Sequence, residues 1–79
     1  MNEKIRAIVK ENARLPIDVA TLSDNSNLYD AGMSSHASVN VMLALEDEFE
    51  VEFPPHLLRR SVFACIANIT EAINELQNE

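Results

Sequence analysis

The chain has little of what commonly fixes a small secreted, membrane-bound or nucleic-acid-binding domain. Cys65 is its one cysteine among 79 residues, so no internal disulfide can form, and a lone thiol fits a reducing compartment. No apolar run approaches the roughly 20 residues that span a bilayer. The N-terminal MNEKIRAIVKEN mixes charges with apolar residues and lacks the apolar core of a signal peptide. A cytoplasmic protein without a membrane partner is expected. Bases are also scarce: 6 Lys and Arg stand against 13 Asp and Glu, a formal net charge of -7. That balance repels a phosphate backbone, argues against nucleic acid, and makes basic protein surfaces the natural partners. Strand-like alternation, internal repeats and low-complexity tracts are all missing.

What is present is helical. With 47% apolar residues, the chain can build a single compact core with little surplus. The expected architecture is all-α, one domain over 1–79: a small helical bundle of three longer helices plus one short one, acting as a monomer. The first helix is expected from Asn2, as N-cap, to Arg14, with Ile5, Ile8 and Val9 inward, Leu15 closing it and Pro16 stopping it. The last runs from about Val62 to Leu76, with Val62, Cys65, Ile66, Ile69, Ile73 and Leu76 at spacings of three and four. Cys65 therefore reads as a core residue. Between Pro54 and Ser61 there is room for a short helical turn. There, one of Leu57 and Leu58 is expected to be buried and the other to line a surface.

The informative stretch is 28–54. From Ser35 to Phe49 there is neither glycine nor proline, and good helix formers dominate. Small polar residues mark the start, and Pro54 and Pro55 are expected to mark the stop. Residues three or four apart share a helix face. Val41, Leu45 and Phe49 make one apolar stripe, flanked by Ala37, Ser38 and Met42, and Val39 and Leu43 make another. Four residues before Val39 lies Ser35, so a hydroxyl at the helix start is in line with aliphatic surface that is unexplained unless something docks on it. The first turn of a helix offers unpaired N–H groups and the positive end of the macrodipole, which suits a phosphate ester on Ser35. Gly32, the only glycine, permits a tight turn just before it. Ser34 reads as an N-cap.

Other chemistry fits less well. The Pro16–Ser34 connection is long, held over the core by Val19, Leu22 and Leu28. Its Asp24 and Ser26 suggest a calcium loop, but starting from Asp24 the required glycine position is Tyr29 and the twelfth position is Ser35. Ser35 and His36 are adjacent on a helix and point to different sides, so they make no nucleophile–base pair. His56 could reach Ser35 only through unusual packing, and two histidines without a cysteine cluster make no metal site. Glu46, Asp47, Glu48, Glu50 and Glu52 form an acidic run that serves equally as a solvated face or a partner-binding one. Arg59 and Arg60 form a small basic patch with no evident role.

The segment Leu28, Tyr29, Asp30, Ala31, Gly32, Met33, Ser34, Ser35, His36 resembles the phosphopantetheine attachment motif of the acyl and peptidyl carrier proteins. Val39 and the downstream 44–49 also match, and the element order extends the resemblance over nearly the whole chain. It implies an acyl-carrier-protein-like fold, with Tyr29 and Asp30 fixing the end of the loop. It also implies a stand-alone, non-catalytic carrier, with 4′-phosphopantetheine attached to Ser35 by a phosphopantetheinyl transferase. Cargo would be held as a thioester and presented to a loading ligase or to synthase enzymes. The spacing from Gly32 favours Ser35 over Ser34 for attachment, and the partner face would comprise Ser34, His36, Val39, Asn40, Leu43, Glu46 and Asp47.

Departures from the family bear on pathway. Fatty-acid carriers typically place acids before the serine and along the first half of the next helix, whereas this chain has Ser34, Ala37 and Asn40 there, with no formal charge between Asp30 and Glu46. His36 replaces the usual Leu. Fatty acyl, polyketide and aminoacyl cargo all stay open, with a dedicated amino acid ligase as one loading partner. An unmodified acidic adaptor that docks a partner on Val39 and Leu43 is the alternative from another class.

Overall fold

The computed structural model describes residues 2–78, and Glu79, at the polar end of the chain, lies outside them. Three α-helices carry the architecture: α1 (Asn2–Asn12), α2 (Ser35–Phe49) and α3 (Ile66–Gln77). The short helical pieces are three 3-10 turns, Val19–Thr21, Pro55–Leu57 and Arg60–Phe63, and no strand occurs among the described residues. Helix α1 packs against both α2 and α3. Its Ile5, Ile8 and Val9 meet Ala37, Val41 and Leu45 of α2 and Ile66, Ile69, Ala72 and Ile73 of α3 in one core. The expected inward faces are therefore the buried ones, with Ala72 added and with Val62 and Leu76 only partly buried.

Helix ends depart from the expectations, each for a local reason. Asn2 is the first helical residue and not an N-cap. Its side chain accepts from Arg6 Nε at 3.1 Å and donates to Asp24 Oδ1 at 3.1 Å. Helix α1 stops at Asn12 and not at Arg14. Asn12 Nδ2 donates to Ile8 O at 2.8 Å, Arg14 turns left-handed with φ 53°, and Pro16 keeps its predecessor Leu15 out of helical geometry. Helix α2 ends at Phe49 and is capped by Glu50, also left-handed with φ 51°, whose N–H bonds to Glu46 O, so the chain has left the helix before it reaches Pro54. Helix α3 starts at Ile66 and not at Val62. Ala64 O, which a continuous helix would need, accepts the Leu28 N–H at 2.6 Å, and Cys65 is extended. An N–H of the new helix end, that of Ala67, is taken by Asp24 O at 2.9 Å. Cys65 is nonetheless buried, as the spacing indicates.

The long connection is more ordered than its composition suggests. Asp18 caps the Val19–Thr21 turn by accepting from Ala20 N at 3.0 Å. Asn27 Oδ1 accepts from the N–H groups of both Tyr29 and Asp30, an Asx turn that redirects the chain. Val19 and Leu28 are buried and Leu22 is half-buried, so all three hold the loop over the core. Arg6 of α1 ties the loop's middle, reaching Asp24 Oδ1 at 2.7 Å and Val19 O at 3.0 Å.

Candidate functional site

The loop is brought back to α2 by Gly32, which sits at φ +120°. A Cβ there would lie 2.7 Å from Pro16 Cδ and 3.2 Å from Cγ. Two independent constraints, backbone conformation and the close approach of Pro16, thus require glycine three residues before Ser35. Met33 is buried, which pins the last stretch before the helix.

At the helix start the two serines divide roles. Ser34 is extended, and its Oγ accepts from Ala37 N at 3.0 Å, the N-cap interaction. Ser35 is the first helical residue and is exposed, and its hydroxyl makes no hydrogen bond among the described residues. The backbone oxygen of Ser35 accepts from Ser38 Oγ at 2.6 Å. The Ser35 Oγ is therefore free for esterification at a helix end that favours negative charge. These residues fit the phosphate end of a pantetheine arm.

Along α2, one turn and two turns beyond Ser35, Val39 and Leu43 are 49% and 54% exposed although apolar. His36, Asn40 and Asp47 are exposed on the same helix. Glu46 has a structural contact besides its expected place on the partner face. It is half-buried, and its Oε2 accepts the Phe53 N–H at 2.9 Å, fastening the extended segment after α2. That segment places Phe53 against Phe63, ring centroids 5.4 Å apart.

Beside the serine, an open cleft of about 330 Å³ is lined by Ser35, Ser38, Val39 and Met42 of α2, Tyr29 of the loop, and Leu58, Arg59, Arg60 and Phe63. Leu58 is 51% exposed here while Leu57 packs against the core, which resolves which leucine faces outward. The Arg60 guanidinium lies over the Tyr29 ring, 3.7 Å from its centroid. Nothing local in the sequence places Arg59 and Arg60 beside Tyr29 and Ser35; their only signal is a pair of bases in an acidic chain. His56 is elsewhere, with Nε2 3.0 Å from Glu75 Oε2, and does not line the cleft beside Ser35. Among the described residues, no group of three His, Cys, Asp or Glu side chains could hold a metal ion, and no helix is long and apolar enough to cross a membrane.

Comparison with known proteins agrees with this geometry. The family profile described as "Phosphopantetheine attachment site" matches residues 3–75. An aminoacyl carrier protein of Agrobacterium fabrum is 45% identical over 73 residues, which is 92% of this chain and 88% of that protein. The fold matches, with a TM-score of 0.91 and 44% identity, a chain in a crystal structure of an engineered Bradyrhizobium japonicum glycine:[carrier protein] ligase complexed with carrier protein from Agrobacterium tumefaciens and AMP. The match covers 94% of this chain and 99% of that one. A solution structure of an Agrobacterium tumefaciens protein is similar at a TM-score of 0.78 and 42% identity, covering 99% of this chain and 94% of that one. With the exposed serine, the shaped turn before it and the all-helical bundle behind it, the chain belongs to the phosphopantetheine-binding carrier proteins, non-catalytic proteins whose cofactor is 4′-phosphopantetheine.

Proposed function

We propose that this chain is a stand-alone, monomeric aminoacyl carrier of the cytoplasm, a single domain over 1–79, with the arm esterified to Ser35 by a phosphopantetheinyl transferase. The observation that carries the reading is the Ser35 hydroxyl, exposed and unbonded at the start of α2, in line with exposed Val39 and Leu43. The arm supplies the thiol on which cargo is held as a thioester. The protein's part is to orient it and to offer a docking face.

Each residue then has a distinct task. Ser34 holds the first turn of α2 through its cap. Ser35 is the tether. Val39 and Leu43 give apolar contact to a partner enzyme, with His36, Asn40 and Asp47 at the margins of that face. The absence of formal charge from Ala31 to Leu45 suits a partner that reads shape and apolar contact near the tether rather than one gripping an acidic helix with arginines. The loading partner is an amino acid ligase of the kind complexed with the Agrobacterium carrier, a relation supported by the 44% identity to that chain. Small cargo is consistent with the packing. Val41 and Leu45 of α2 are fully buried among Ile5, Ile66 and Ile69, and the space beside Ser35 is an open cleft rather than an enclosed tunnel for a long chain.

The test is loading. The arm-bearing protein, incubated with such a glycine:[carrier protein] ligase, ATP and labelled glycine, is expected to acquire label through a bond that hydroxylamine cleaves. A ligase that charges the Agrobacterium carrier and leaves this one unlabelled would count against an aminoacyl role. A marked rise in melting temperature on charging with a long fatty acyl group would point to acyl cargo instead.

A further inference from the structure

Arg59 and Arg60 stand out in this chain. They are two of only 6 bases against 13 acids, and they line the same cleft as Ser35. The ion pairs among the described residues are Arg6–Asp24 and His56–Glu75, so neither arginine has a carboxylate partner there. Arg60 is also held in place. Its guanidinium is stacked over Tyr29, 3.7 Å from the ring centroid, and Tyr29 is oriented by the Asx turn in which its own N–H donates to Asn27 Oδ1 at 2.9 Å.

Stacking uses the face of a guanidinium and leaves its edge, with the fork of N–H donors, free to meet a planar or tetrahedral oxyanion bidentately. A phosphate esterified at Ser35 Oγ begins within this cleft and carries one negative charge as a diester. No carboxylate is among the residues that line the cleft to compete for the arginines. We infer that Arg60, seated on Tyr29, and its neighbour Arg59 form a subsite for the phosphodiester of the arm on Ser35, holding its first atoms against the Arg59–Phe63 side of the cleft. The inference rests on Ser35 being the attachment residue. It adds a positioning role for a basic pair outside the motif: the root of the arm is fixed at two points, the ester oxygen and the guanidinium, and only the distal part swings.

The experiment uses the whole protein, ¹⁵N-labelled, before and after modification with coenzyme A and a transferase. Intact mass reports whether one arm is present, separately from what the arginines do. Arginine Nε–Hε signals are followed, assigned with the Arg60→Gln and Arg59→Gln variants, whose altered residues are exposed. The expected result is that the Arg60 Nε–Hε signal moves on modification. The ³¹P resonance of the diester should differ between wild type and Arg60→Gln, and that difference should shrink toward about 1 M salt, where screening reaches ~3 Å. A mass showing one arm, with the Arg60 signal unmoved and the ³¹P resonance unchanged by Arg60→Gln, would overturn the subsite and leave the Ser35 reading intact. An Arg60 signal that moves only when a ligase is added would also overturn it, assigning the arginines to the partner. A wild-type protein that takes no arm would remove the Ser35 reading and the subsite together.

Discussion

Replacing Gly32 with alanine perturbs two things at once, and the structure separates them. At φ +120° an L-residue occupies strained backbone, at about 1–3 kcal/mol. The new methyl would also stand 2.7 Å from Pro16 Cδ. That atom belongs to a ring and cannot rotate away, so relief requires the loop to shift, at a further ~1–3 kcal/mol for overpacking. Because Pro16 is itself exposed, partial relaxation is expected, which sets the combined cost at about 3 kcal/mol. For a domain of this size that corresponds to a fall in melting temperature on the order of 10–20 °C. Urea titration followed by circular dichroism measures the cost. D-alanine, introduced by chemical synthesis, favours positive φ and carries its methyl on the opposite side of Cα, so its variant is expected within about 0.5 kcal/mol of wild type. Combining Gly32→Ala with Pro16→Ala should recover the steric share alone. An L-alanine variant within about 0.5 kcal/mol of wild type, or a D-alanine variant as damaged as the L form, would refute the reasoning.

Other outcomes follow from the same contacts. Ser34→Ala should lower stability by about 1 kcal/mol through loss of the cap to Ala37 N, measured by urea melts, while Ser35 still accepts the arm. Hydrogen bonds from Arg6 and then Asn2 hold the Asp24 carboxyl below its ordinary 3.8. The folded state therefore binds fewer protons than the unfolded one, so the stabilisation is full above 3.8 and fades as pH falls through the lower folded value. Asp24→Asn should accordingly be less stable than wild type at pH 7, with the gap closing in melts taken below pH 3.8. Val39→Ser with Leu43→Ser should leave stability within about 0.5 kcal/mol, because both side chains are exposed, yet reduce kcat/KM for ligase loading by at least ~10-fold.

How much of this was legible in the sequence depends on the range of the forces involved. Helix α2 runs from Ser35 to Phe49 with Ser34 as its cap, as its pattern of small polar start and unbroken helix formers indicates, because caps and periodicity are local. The exposed Val39–Leu43 line follows from the same spacing. The ends of the other helices were set by long-range competition instead. Ala64 O is taken by Leu28 N and Ala67 N by Asp24 O, bonds across more than thirty residues that no window of sequence reveals, and they move the start of α3 to Ile66. Glu46 reads as one acid in an acidic run, but it alone meets the Phe53 N–H. The left-handed turns at Arg14 and Glu50 occupy residues with no special preference for that conformation, so tertiary packing imposes them. Arg59 and Arg60 gained a setting only when folding brought them to Tyr29 and Ser35.

The central claim, that Ser35 carries the arm, is tested most directly by intact mass after incubating the unmodified protein with coenzyme A and a broad-specificity phosphopantetheinyl transferase, alongside Ser34→Ala and Ser35→Ala. Gain of one phosphopantetheine by wild type and Ser34→Ala, and none by Ser35→Ala, is the predicted result. No gain by wild type, with a transferase that modifies a control carrier in the same tube, or gain by Ser35→Ala, would contradict it.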